Sequence, residues 1–194
     1  IGHAPAFTNV LFGSSGSESN DTLIRLIRHY WALEGKPERQ VIIARQNAYH
    51  GSTIAAASMG GMKAMHGQLH TALGGFHHIM APYWYGEGAA DEDLDNFGRR
   101  AAGALEEAIL RIGPDKVAAF VGEPVQGAGG VKIAPPGYWA EIERICRKYD
   151  ILLAADEVIT GFGRTGHWFG HQYYGFTPDL MTVAKGISSG YLPL

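Results

Sequence analysis

The sequence predicts an α/β fold, a mostly parallel sheet with helices on both faces. Three observations carry this. The strand-like runs Gln40–Ala44 (QVIIA), Val117–Val121 (VAAFV) and Ile151–Ala155 (ILLAA) are apolar throughout rather than alternating, as strands buried on both faces must be. Segments with helical periodicity separate them, as parallel strands require a crossover. Polar or glycine-rich turns follow the runs, and in parallel sheets ligands sit at the carboxyl ends of the strands.

Composition narrows the class. At 194 residues the chain has room for one substantial core. Its net charge of −3 offers no basic surface, so neither nucleic acid nor a membrane is expected as a partner. No apolar run approaches the length of a membrane span, and no signal peptide is expected. The single cysteine, Cys146, leaves no internal disulfide and points to a reducing, cytoplasmic compartment. The chain opens without methionine and stops at Tyr191-Leu192-Pro193-Leu194, so it is expected to be a piece of a longer polypeptide.

From the amino end, Phe7–Phe12 is a short apolar lead-in to the glycine- and serine-rich turn Gly13–Ser19. Leu23, Ile24, Ile27, Tyr30 and Trp31 then share one face of an amphipathic helix. A Gly/Ser turn that opens a helix can hold an anion, because free amides and the helix dipole point out of it. Ser15, Gly16 and Ser17 are therefore candidates to hold a phosphate; the competing reading is a serine N-cap with a loop before it. The lysine of a P-loop is absent, which argues against a nucleoside triphosphate.

The strand Gln40–Ala44 leads to Asn47–Gly51, where Tyr49 can lie flat over a planar ligand. Read alone, a packed loop tyrosine explains Tyr49 as well. His50 has no neighbour at a metal-binding spacing, so no metal site is expected. Ser52–Leu73 is rich in small residues, with Gly60-Gly61 breaking any helix. His77–Tyr83 reads as a strand and Trp84–Glu87 as an aromatic turn. Asp91–Ile112 is a long helix with a stripe of Leu94, Phe97, Ala101, Leu105, Ala108, Ile109 and Ile112, stopped by Gly113-Pro114-Asp115. The strand Val117–Val121 ends on Gly122-Glu123-Pro124-Val125-Gln126-Gly127, an acid and an amide followed by glycine. The last predicted helix, Gly137–Tyr149, buries Tyr138, Trp139, Ile142, Ile145, Cys146 and Tyr149.

The stretch Ile151–Lys185 organises the rest. One apolar run ends on Asp156-Glu157, and a second ends on Lys185. An amine in a desolvated site loses its charge and becomes a nucleophile toward aldehydes. A carboxylate held nearby can keep a proton on a heterocyclic nitrogen. The pair fits pyridoxal 5′-phosphate, which takes a lysine at its aldehyde and an acid at its ring nitrogen.

Ser15-Gly16-Ser17-Glu18, Tyr49-His50-Gly51, Glu123–Gly127, Asp156-Glu157-Val158 and Lys185-Gly186 stand in an order and spacing that resemble the class III aminotransferases, over essentially the whole chain. Gly161–Gly166 (GFGRTG) adds to the resemblance. HWFG at His167–Gly170 and YLPL at the carboxyl end resemble the ω-amine and putrescine–pyruvate branch of that family.

The resemblance implies a fold-type I large domain over residues 1–194, with an N-terminal segment and a C-terminal small domain outside it, in a homodimer or a dimer of dimers. It implies Lys185 as the amine that bonds the cofactor aldehyde and then shuttles the substrate proton. Asp156 would protonate the pyridine nitrogen, with Val158 on one ring face and Tyr49 on the other. Ser15, Gly16 and Ser17 would bind the phosphate. His50 and Glu123 would belong to the polar shell, with Glu123 positioning Asp156. The implied reaction moves an amino group from an ω-amine or diamine to a keto acid such as pyruvate. Ala128 stands where many members carry glutamate, and Ile159 where many carry glutamine. Both departures turn the expectation away from ornithine and γ-aminobutyrate.

Other readings compete. Gly186–Gly190 fits the G-x-S-x-G pattern of a hydrolase nucleophile elbow, but only four residues follow for the acid and histidine that fold requires. A decarboxylase or aminomutase would keep the same ring contacts and break a different bond. The chain by itself could also bind cofactor poorly and catalyse nothing.

Overall fold

The computed structural model describes residues 2–69 and 72–193. Its first part runs α1 (Gly16–Leu33), β1 (Val41–Arg45), α2 (Ile54–Met59), α3 (Lys63–Leu69), β2 (Phe76–Ile79), α4 (Trp84–Glu87) and α5 (Leu94–Ile112). β3 (Val117–Gly122) follows, then a hairpin of β4 (Val125–Gln126) and β5 (Lys132–Ile133), and α6 (Tyr138–Lys148). The chain closes with β6 (Leu152–Asp156), α7 (Gly170–Tyr174), β7 (Leu180–Thr182) and a 3-10 turn, Lys185–Ile187.

Five strands form one sheet in the order β2-β1-β3-β6-β7, and each pairing is parallel. The α/β expectation holds. On one face Ile42, Ala44, Ala119, Val121 and Ala154 pack with Leu23, Ile24, Ile27 and Trp31 of α1. On the other, Ile43, Phe120, Leu153 and Ala155 pack with Phe97, Ala101 and Leu105 of α5 and Trp139 and Ile142 of α6. A strand with a core on each side has no polar face, and that is why these runs do not alternate. Cys146 lies in the second core, where burial pushes its thiol pKa up and leaves it inert.

The topology places the site. β1 and β3 are neighbours, but the chain leaves β1 toward β2 on one side and β3 toward β6 on the other. The crevice between their carboxyl ends is a topological switch point, where open α/β sheets bind ligands.

Several local expectations need correction. The strand predicted at His77–Tyr83 is Phe76–Ile79. Pro82 has no amide to give a ladder, so the chain leaves the sheet before it. Trp84–Glu87 is a single helical turn, and Ser52–Leu73 holds two short helices on either side of Gly60-Gly61. His70 and Thr71 of that stretch, Ile1, and Leu194 of YLPL lie outside the described residues. Tyr30 and Leu94 are exposed, at 43% and 46%. Tyr30 is one step around the helix from Trp31, and Trp31 faces the sheet, its Nε1 donating to Ala118 O at 2.8 Å. Leu94 sits in the first turn of α5, one turn ahead of Phe97, where the buried stripe begins.

Candidate active site

All nine residues singled out by the sequence line one cavity of about 400 Å³. Ser15, Gly16 and Ser17 come from the start of α1, Tyr49 and His50 from the turn after β1, and Glu123 from the turn after β3. Asp156 and Val158 come from the end of β6, and Lys185 from the turn after β7. Asn20, Ile159, Ala184 and Ser188 also line it.

Asp156 is the best-anchored of these groups. It is 3% exposed. Its Oδ2 accepts from His50 Nδ1 at 2.7 Å and from the Asn20 amide at 2.9 Å. Its Oδ1 accepts from the Val158 amide alone, at 3.1 Å. A carboxylate oxygen has two acceptor positions. Oδ2 is therefore filled, and the one position left is on Oδ1. His50 donates from Nδ1, and its buried Nε2 has no partner among the described residues.

Glu157, the second acid of the pair, faces a different task. It is fully buried and accepts from the amides of Gly170 at 2.8 Å and His171 at 2.7 Å, and from Thr160 Oγ1. It caps α7 rather than lining the cavity. Adjacent residues on a strand point to opposite faces, so only one of two neighbouring acids could reach the site.

The N-cap reading of the Gly/Ser turn is realised. Ser15 is the N-cap of α1, its Oγ accepting from the Glu18 amide at 3.2 Å, while Glu18 Oε2 accepts from the Ser14 amide at 2.6 Å. The cap leaves the Gly16 and Ser17 amides without intrahelical partners. A side chain at Gly16 would meet the Val158 methyls at 3.1 and 3.3 Å and Ala184 Cβ at 3.4 Å. The glycine thus lets the helix start close against the end of β6 and the approach to Lys185.

Glu123 does something other than expected. Its oxygens accept from the Tyr49 amide at 3.1 Å and the Gly127 amide at 3.0 Å, so it positions the tyrosine loop and not Asp156. Burial pushes its pKa up, and the Asp156 charge adds to this, while His50, Arg45 and the Tyr49 amide oppose it. A carboxyl with a raised folded pKa contributes most below its unfolded value of 4.5, and that contribution is lost as pH rises through the folded value. Urea titrations of wild type and Glu123→Gln should therefore shift in the variant's favour between acid and neutral pH. A difference that stays constant with pH would refute this.

Lys185 departs from expectation. It is exposed rather than desolvated, and its φ of 46° is left-handed. It follows β7, which among the described residues has a neighbouring strand on one side only. The strained backbone at a lysine that borders the cavity is the kind of outlier found at functional sites. Ser188 of the G-x-S-x-G motif follows the 3-10 turn Lys185–Ile187, and no helix follows it in the described residues, so the strand–turn–helix elbow is not built.

Sequence reasoning missed Asn20, Thr182 and Arg45. Asn20 shares the buried stripe of α1 with Leu23, Ile24 and Ile27, and a polar residue in an apolar stripe is the signal that could have found it. Arg45 is the last residue of β1, 1% exposed, and it donates to the Glu123 carbonyl across the switch point. Its guanidinium lies over Trp139 at 5.3 Å.

Residues 1–194 match the family described as aminotransferase class-III. The chain belongs to the class-III aminotransferases. It is 58% identical over 186 residues to a putrescine–pyruvate aminotransferase of Pseudomonas aeruginosa, covering 96% of this chain and 41% of that one. To a diaminobutyrate–2-oxoglutarate transaminase of Halomonas elongata it is 46% identical over 192 residues, covering 98% and 41%. Among solved structures, the ω-transaminase of Pseudomonas jessenii in complex with PMP has a TM-score of 0.94 at 46% identity, covering 96% of this chain and 41% of that chain. This class-III aminotransferase chain thus spans about 41% of the length of the curated relatives quoted.

Class-III aminotransferases depend on pyridoxal phosphate, and the cavity fits it. The remaining acceptor on Asp156 Oδ1 matches a protonated ring nitrogen. The free Gly16 and Ser17 amides match a phosphate.

Proposed function

We propose that residues 1–194 are the cofactor-binding large domain of an enzyme that moves an amino group from an ω-amine or diamine to a keto acid such as pyruvate. The observation that carries this reading is the convergence of five separated segments on one cavity that holds both a buried carboxylate and a lysine. Relatives named for putrescine with pyruvate and for diaminobutyrate with 2-oxoglutarate support the reaction class.

Pyridoxal phosphate, when bound, supplies an electron sink for the carbon bearing the amino group. Asp156 would hold the proton on its ring nitrogen. The Gly16 and Ser17 amides and the Ser15 hydroxyl would hold its phosphate, and Tyr49 and Val158 would bracket its ring. Glu123 and His50 orient the groups behind them. Lys185 would be the amine that holds the cofactor at its aldehyde and the group that moves the substrate proton. Ile159, which lines the cavity, and Ala128, which follows the Glu123–Gly127 motif, stand where many members of the family carry glutamine and glutamate, which supports a simple amine as donor.

We read the full-length protein as a cytoplasmic homodimer. Val10, Leu11 and Phe12, exposed at 57%, 67% and 70% just before the phosphate turn, support a partner on that side. The unpaired Cys146 supports a reducing compartment. No helix among the described residues is long and apolar enough to cross a membrane.

One experiment on the full-length protein tests this reading. Adding pyridoxal phosphate should produce a visible absorbance band, and borohydride should then leave the label on Lys185 by peptide mapping. Putrescine with pyruvate should turn over faster than ornithine or γ-aminobutyrate with 2-oxoglutarate, in a species of dimer mass by sedimentation. No band, a label elsewhere, or an active monomer would each refute the corresponding part, and release of carbon dioxide would identify a decarboxylase instead.

A further inference from the structure

Asn20 is 1% exposed in the apolar stripe of α1. An amide buried among leucines and isoleucines is unfavourable unless its hydrogen bonds are met. Here they are met by three different segments. Nδ2 donates to the His50 carbonyl at 2.7 Å and to Asp156 Oδ2 at 2.9 Å. Oδ1 accepts from Thr182 Oγ1 at 3.0 Å. The opposite amide orientation would set Oδ1 against the Asp156 carboxylate and the His50 carbonyl, so these partners define one orientation.

The partners have functional positions. His50 follows Tyr49, Asp156 ends β6, and Thr182 ends β7, three residues before Lys185. One side chain therefore joins the acid of the site to the strand that leads to its lysine. It also fills Oδ2 of Asp156 together with His50, which turns the last acceptor position to Oδ1. Helix α1 brings the amide in from the same element whose first turn borders the cavity.

We propose that Asn20 is a positioning residue that orients the Asp156 carboxylate toward the cofactor ring and ties it, through Thr182, to the approach to Lys185. This rests on the functional reading above. Asn20 acts through Asp156, to which its amide donates. Its substitution should change how the bound cofactor titrates, which a purely structural amide would leave alone.

The test uses the full-length holoenzyme and three variants, Asn20→Ala, Asn20→Asp and Thr182→Val. Asn20→Asp sets two carboxylates at hydrogen-bond distance and makes them share a proton. Thr182→Val keeps the shape and removes only the hydroxyl. For each, the visible absorbance of bound cofactor is followed against pH, alongside kcat and the thermal midpoint of the apoprotein. Asn20→Ala and Asn20→Asp are expected to move the absorbance midpoint by about one pH unit and to lower kcat roughly 10- to 100-fold. Thr182→Val should move both in the same direction, with kcat down about threefold.

Apoprotein midpoints close to wild type would accompany these changes. If Asn20→Ala does not fold, Thr182→Val carries the same test. Variants that titrate as wild type, losing activity only in step with thermal stability, would overturn the positioning role alone. A wild-type protein with no visible band would overturn this proposal and the functional reading together.

Discussion

Lys185→Ala is expected to abolish turnover and leave the fold intact. Lys185 is exposed, so truncating it removes no core packing. Its φ of 46° is left-handed, and alanine bears the same Cβ strain as lysine, so stability should change little. Lys185→Gly, free of that strain, should be about 1 kcal/mol more stable than either. Activity is a separate matter. On the proposed reading no amine would remain to bond the cofactor aldehyde or carry the substrate proton, and kcat with an amine and pyruvate should fall roughly 10⁴-fold or more. Thermal unfolding with steady-state kinetics on the full-length enzyme checks both halves. Near-normal turnover would sink the assignment of Lys185.

Asp156→Asn should be nearly as damaging, for a reason the hydrogen bonds make specific. Two donors, His50 Nδ1 and Asn20 Nδ2, meet at the Oδ2 position. An asparagine must turn its carbonyl to them, which places its NH₂ where Oδ1 stood. There it faces the Val158 amide, another donor, and offers the cofactor ring a donor where an acceptor is needed. A ring nitrogen that loses its proton is a weaker electron sink. We expect kcat to fall about 10³-fold, on the order of 4 kcal/mol of barrier, while the proposed phosphate contacts at α1 should still retain cofactor. A single-turnover measurement with the amine donor reads this directly. Unchanged rates would mean that another group protonates the ring.

Much of the site was legible because its residues lie at the ends of recognisable strands or at the start of a helix. Ser15–Ser17, Tyr49, Glu123, Asp156 and Lys185 each close an apolar run or open a helix, and a parallel sheet gathers such positions at one edge. What stayed hidden were side chains whose role depends on pairing across the fold. Asn20 and Asp156 are 136 residues apart and Arg45 and Glu123 are 78 apart, separations at which no local pattern operates. Glu157 looked equivalent to Asp156 because the pleat that separates them leaves no mark on two adjacent acids. The resemblance made Glu123 the group that positions Asp156, yet its oxygens are taken by the Tyr49 and Gly127 amides.

By itself, the sequence determined the α/β class, the buried strands and the residues that could meet at their carboxyl ends. Apolar periodicity records which faces are buried, and chemistry-bearing residues stand out against it. Only the tertiary structure decided which acceptor on Asp156 remains open, which acid caps α7 and what Glu123 holds. Those outcomes turn on hydrogen-bond geometry between segments far apart in the chain. Composition records the donors and acceptors available, and the fold alone pairs them.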